Sequence, residues 1–207
     1  MALVDRVKNI LLSPRTEWPV IDAEPATVAS LYTGYIMPLA LIPVVCQAIG
    51  MSLIGFSIPF VGGHYKSPLG SALMSAAVMY CFALIGVFII SLVVDALAPS
   101  FGGTKNSVQA LKVVAYAYTA SWVGGIFSLL PALSWVALFF GLYSLYLLYL
   151  GLPVLMKSPQ DKAVGYTVVV IICSIVITAI ILYAVASLGF GMGAGAMTGA
   201  GAGAYRP

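Results

Sequence analysis

Apolar positions in this 207-residue chain fall into long unbroken blocks, and charged positions cluster in the short stretches between them. Residues 25–65, 67–94, 113–156 and 163–205 contain no Asp, Glu, Lys or Arg and together make up 156 residues. A helix needs about 20 apolar residues to cross a bilayer, so each block holds at least one span. Strands of outer-membrane barrels instead alternate apolar and polar residues over segments of about 10. The blocks show no such alternation, which predicts an all-α polytopic membrane protein.

Turn chemistry divides the blocks into five spans. The first is expected over residues 28–55, kinked at Pro38 and Pro43, because neighbouring helices must re-satisfy the carbonyls that a proline frees. Pro59, Gly62, Gly63 and His64, within residues 57–67, end it. The second covers 69–98 and stops at Pro99, Gly102 and Gly103. Asn106 with Gln109 three positions on resembles a capping box, which starts the third span near Ser107 and carries it to about 130. The block 113–156 is too long for one span, and Pro131 with Ser134 marks the turn into the fourth, 133–156. Ser158, Pro159 and Asp161 supply a cap residue, a proline at the first helical position and an acid in the first turn. The fifth span runs from there to 188. Glycine and alanine dominate 189–204 too strongly for a dependable helix, so a flexible tail is expected over 189–207.

Residues 1–24 are the polar head of the chain, with Asp5, Arg6, Lys8, Arg15, Glu17, Asp22 and Glu24. Leu3, Val7, Ile10 and Leu11 recur at helical spacing opposite Asp5, Arg6, Lys8 and Asn9, which predicts a short interfacial amphipathic helix ended by Pro14. Trp18 beside Pro19 is expected as an interfacial anchor at headgroup level. The segment lacks the h-region and cleavage site of a secretory signal peptide. Three regions follow: a cytoplasmic amphipathic segment 1–24, a five-helix transmembrane domain 25–188 and the tail 189–207.

Composition adds two points. Charged residues are 7% of the chain, hydrophobic ones 62%, and mean hydropathy is +1.09, which excludes a soluble globule, since apolar side chains would have to cover its surface as well as its core. Lys and Arg also set orientation. With the N-terminus inside, the cytoplasmic side carries Arg6, Lys8, Arg15, Lys105, Lys112, Lys157 and Lys162, and the other side Lys66 and Arg206. This asymmetry predicts a periplasmic C-terminus and contact with anionic lipid headgroups, and gives no case for nucleic acid.

Few side chains carry candidate chemistry. Asp95 near the end of the second span and Lys112 near the start of the third stand at similar depth. They are read as two residues snorkelling to water, as an intramembrane ion pair, or as ion- or proton-handling groups. Tyr143, Tyr146 and Tyr149 share one face of the fourth span, either bonding to neighbouring helices or lining a polar substrate cavity. Ser121, Gly124 and Gly125 allow close helix packing, inside the bundle or in a homo-oligomer. His64, the single histidine, is expected as a solvated loop residue, since one ligand cannot hold a metal. Cys46, Cys81 and Cys173 read as small apolar core residues, with no disulfide implied. No nucleophile–base set, phosphate loop or metal motif is present, so no enzyme, cofactor or metal is expected.

Several short motifs resemble those of a known family: Pro14-Arg15-Thr16-Glu17-Trp18 with Ile21, then Ile42-Pro43-Val44-Val45-Cys46 with Gly50, and Tyr116 followed by Tyr149-Leu150-Gly151-Leu152-Pro153. Over residues 12–172 the chain resembles a bacterial inner-membrane member of the Yip (Ypt/Rab-interacting protein) family. The resemblance implies a five-span fold with a cytoplasmic N-terminus. Eukaryotic members act in membrane traffic by engaging small GTPases and partner membrane proteins. Members often carry proline where this chain has Ala120, and that departure takes away the sequence reason for a kink in the third span. The expected role is a non-enzymatic scaffold or adaptor with a protein partner at its N-terminus, and the alternative is a small-solute or ion permease.

Overall fold

The computed structural model describes residues 2–57 and 64–187, almost all of them helical. Two short helices, α1 (Leu3–Leu12) and α2 (Pro14–Ala23), form a hairpin whose turn follows from Pro14, which cannot continue α1 but suits the first position of α2. A helical rod then covers Val28–Ile54. It starts as α3 (Val28–Leu31) under a reciprocal Thr27–Ser30 capping box, and continues as α4 (Met37–Ile49). Pro38 lacks the N–H that the Gly34 carbonyl would accept, and the rod widens into a π-helical turn at Tyr32–Ile36 just before it. A second π turn, Gly50–Ile54, ends the rod. Two π turns therefore flank the segment that bears Pro38 and Pro43.

Strands β1 (Phe56–Ser57) and β2 (His64–Tyr65) pair antiparallel and lead into α5 (Leu69–Leu97), which tightens into a 3-10 turn at Ala98–Phe101. The side chain of His64 and the tail 189–207 lie outside the described residues. Next come α6 (Ser107–Ala117), α7 (Thr119–Gly124) and a 3-10 turn at Gly125–Leu129. A 3-10 entry at Pro131–Val136 opens α8 (Ala137–Leu155), and α9 (Gln160–Ser187) completes the bundle. Among the described residues, four helical segments are long and apolar enough to cross a membrane: Val28–Ile54, Leu69–Phe101, Pro131–Leu155 and Gln160–Ser187. The expected third span, 107–130, is broken at Tyr118 although Ala120 is not proline. There the Thr119 hydroxyl reaches back to the Ala115 carbonyl (3.4 Å), a bond that competes with the helical ladder and bends it.

The broken helix is the centre of the molecule. Every residue of 110–117 in α6 is buried, and α5, α8, α3 and the α1–α2 hairpin pack around it. Glycines bring backbones together there. A Cβ on Gly125 would lie 2.3 Å from Pro43 Cβ, one on Gly124 2.4 Å from Phe140 Cβ, and one on Gly50 2.5 Å from the Ser128 carbonyl oxygen. By contrast α9 lies outermost, with Ile172, Ile175, Ile180 and Tyr183 exposed, as a lipid-facing helix should be.

The N-terminal segment departs from expectation. Helix α1 forms at the expected residues, but its apolar face meets protein, with Ile10 fully buried. Trp18 is no headgroup anchor: it is 1% exposed, and its ring lies over Gly151, where a Cβ would come within 2.7 Å of Cζ2.

These contacts predict unequal responses to the same small change. Gly50→Ala places a methyl group against the backbone of residues 128 and 129 and should cost about 1–3 kcal/mol. Gly34→Ala meets nothing within 4 Å and should leave stability unchanged. Thermal unfolding of both variants in detergent checks this, and equal midpoints would refute the close packing of α4 against the 125–129 turn.

Candidate functional site

One face of α6 carries Gln109, Lys112, Tyr116 and Thr119, spaced three or four residues apart through the Tyr118 break. Each meets a polar or aromatic partner. The Gln109 amide donates to the carbonyl oxygen of Asp22 (3.2 Å) and to its Oδ1 (3.1 Å). The Lys112 ammonium, 3% exposed, donates to the carbonyls of Ile21 (2.8 Å) and Glu24 (2.5 Å). These belong to the last turn and cap of α2, where carbonyls have no helical partner and the helix dipole favours a cation. The ring of Tyr116 lies against Tyr35 (4.4 Å between centroids) and edge-on to Trp18 (6.4 Å), and Thr119 shares a 2.7 Å hydrogen bond with the Tyr35 hydroxyl.

The hairpin is itself locked by charge. Arg6 is 4% exposed and pairs with Glu17 and Glu24, with its guanidinium 5.8 Å from the centre of the Tyr116 ring. Burial pulls its pKa down, but the Glu24 hydrogen bond and the charges of Glu24 and Glu17 outweigh burial, so the guanidinium titrates above its ordinary value and stays charged. Asp22 pairs with Lys157 after α8. Tyr143 on α8 donates to the Leu11 carbonyl (2.7 Å). Hydrogen bonds and ion pairs therefore fasten the hairpin to α6 and α8.

The sites expected from sequence are distributed differently. Asp95 and Lys112 do not pair: Lys112 turns to the end of α2, and Asp95 stands near Tyr166 of α9 with Oδ1 buried and without a hydrogen-bond partner. Adjacency of α5 and α6 set the depth of the two residues but not their rotation about the helix axes. Of the tyrosines, Tyr143 binds the hairpin, whereas Tyr146 and Tyr149 are exposed on the outer face of α8. Ser121 bonds within the bundle: its N–H donates to Ser144 Oγ (3.0 Å) and the two hydroxyls are 2.8 Å apart. With Gly124 on Phe140 and Gly125 on Pro43, this small-residue face is occupied inside the monomer. A cavity of about 320 Å³ opens at the α1–α2 turn, lined by residues 12–16 with Tyr143 and Tyr146.

Arg6, Glu17, Glu24, Asp22, Gln109 and Lys157 join the site without having stood out in the sequence as site residues. The spacing of Gln109, Lys112, Tyr116 and Thr119 was the available signal, a polar stripe on an otherwise apolar helix. The Arg6–Glu17 contact predicts coupling. Arg6→Met leaves a buried carboxylate unpaired and should cost about 3–5 kcal/mol. Adding Glu17→Gln should then cost less than the two single losses combined. Strict additivity in detergent unfolding would remove the charge lock.

The chain is 26% identical over 168 residues to inner membrane protein YohC of Escherichia coli K12, covering 79% of this chain and 85% of YohC, and the YohC of strain CFT073 matches to the same extent. No solved structure matches significantly. The sequence profile of the Yip1 domain matches residues 8–181, across the hairpin and most of the bundle. The chain is an integral membrane protein and belongs to the Yip1 domain family.

Proposed function

We propose that the protein is a non-enzymatic scaffold or adaptor of the inner membrane, with five spans, a cytoplasmic N-terminus and a periplasmic C-terminus. The observation that carries this reading is the filled centre: α6 is buried at all residues of 110–117 among the helices packed around it. Permeases place polar groups around a mid-membrane site. Here Lys112, Thr119, Ser121 and Ser144 are each bonded to another part of the bundle or hairpin. The broken helix 107–129 supplies the fifth span, and with it the seven basic residues at one end and two at the other follow the positive-inside rule. Family membership and the inner-membrane location of YohC support the placement in the inner membrane. The hairpin, carrying exposed Asp5, Lys8 and Arg15, is the surface for a protein partner.

Two measurements test it. In a background with Cys46, Cys81 and Cys173 replaced by Ala, Val113→Cys and Ala117→Cys should resist a water-soluble thiol reagent in intact membranes, while Asp5→Cys reacts. Reaction at 113 or 117 as fast as at 5 would favour the permease. A reporter active only in the periplasm should signal after Pro207 and stay silent at Lys162, and the opposite pattern would overturn the five-span topology.

A further inference from the structure

The outer face of α8 and its 3-10 entry exposes Leu130, Trp135, Leu138, Phe139, Leu142 and Leu145, then Tyr146 and Tyr149. Residues 130–149 rise about 30 Å, one hydrocarbon thickness. Counted from Leu130, the two tyrosines fall one hydrocarbon thickness along this face, the depth at which aromatic side chains meet headgroups, and residues 150–155 beyond them are buried or half-buried, with α2 packed on α8. The cavity at the α1–α2 turn opens at this level.

Its polar inventory is one-sided. Arg15 is exposed and forms no ion pair or hydrogen bond among the described residues, and the Tyr146 hydroxyl has no protein partner there. Thr16 donates to the Ser13 carbonyl (2.9 Å) and Tyr143 to the Leu11 carbonyl. No carboxylate lines the cavity, and nearby Glu17 is taken by Arg6. A guanidinium held at the edge of hydrocarbon needs an anion, and lipid phosphate is the anion supplied at that depth.

We propose that this cavity binds the phosphodiester of an anionic phospholipid, with Arg15 as a charge-assisted donor to the phosphate, Tyr146 as a second donor, and the acyl chains running along Leu142 and Leu145. The proposal rests on the membrane setting of the bundle and is independent of whether its centre is closed. It turns a general attraction to anionic lipid into one site.

The test uses the full chain purified in detergent and supplied with equal amounts of phosphatidylglycerol and phosphatidylcholine, with retained lipid counted by native mass spectrometry. Wild type should retain phosphatidylglycerol in preference. Arg15→Gln should lower that retention about five-fold or more, with Arg15→Lys in between because it keeps charge but loses the planar fork. Lys105→Gln, which removes an exposed cation outside the cavity, should leave retention unchanged. Equal losses from Arg15→Gln and Lys105→Gln, or no preference for phosphatidylglycerol, would overturn the site in favour of diffuse attraction. Displacement of the lipid by millimolar inorganic phosphate would assign the cavity to the free anion and overturn the lipid reading. Thiol reactivity at residue 117 stays the same in every one of these outcomes if the scaffold reading holds, so the two conclusions fail separately.

Discussion

A lysine ammonium with almost no access to water organises this molecule. Lys112 projects from a helix that is buried all round, and the groups that solvate it are the last carbonyls of α2, free because that helix ends at Ala23. Inside a bilayer apolar burial hardly discriminates between arrangements, since lipid tails are as apolar as leucine. Polar groups do discriminate, because each one left unpaired costs several kcal/mol in hydrocarbon, by rough estimate. One rotation of α6 therefore gives Lys112, the Gln109 amide nitrogen and Thr119 their partners together, and it brings the hairpin, α3 and α8 into place around it.

The same constraint explains the hairpin's composition. A segment with Arg6, Glu17, Asp22 and Glu24 could have remained in the headgroup layer as a separate interfacial element. Instead Arg6 neutralises Glu17 within the fold, which removes two charges from solvent and leaves Ile10, Trp18 and Ile21 free to bury. Gly151 makes room for the indole, and Lys157 closes the far end on Asp22. Lys157 has φ 55°, a left-handed backbone that costs a residue with a Cβ roughly 1 kcal/mol. Its ion pair with Asp22 joins the hairpin to the α8–α9 turn at this residue.

Much of the bundle could be read from sequence because hydropathy and turn residues depend on neighbours along the chain. The blocks without charge placed the four long helical segments, Pro131 began the 3-10 entry to α8, and Asn106 capped α6 by accepting from the Gln109 N–H. The rest depends on rotation about helix axes, which hydropathy does not encode when a helix is apolar on every side. Asp95 and Lys112 show the difference: their depth followed from the hairpin loop, but their directions depended on α2 and α9, distant in sequence. The break at Tyr118 was hidden for another reason. It arises from a threonine hydroxyl and a tyrosine on another helix, where the family pattern draws attention to a proline position that here holds Ala120.

The lock also limits how a partner can engage the protein. Detaching the hairpin would strip the Lys112 ammonium of both carbonyls while leaving it within the bundle, and would separate Arg6 from the Tyr116 ring. Those carbonyls are the acceptors that hold the ammonium, so detachment leaves the cation without them, a penalty of several kcal/mol on an order-of-magnitude basis. Recognition by a protein or a lipid is therefore cheapest on the hairpin while it stays docked. The side chains available for it are those the bundle does not use, Asp5, Lys8 and Arg15 on the outer face. Residues spent on the lock and residues left for recognition thus separate by helix face, since α1 and α2 each turn one face to α6 and α8 and the other outward.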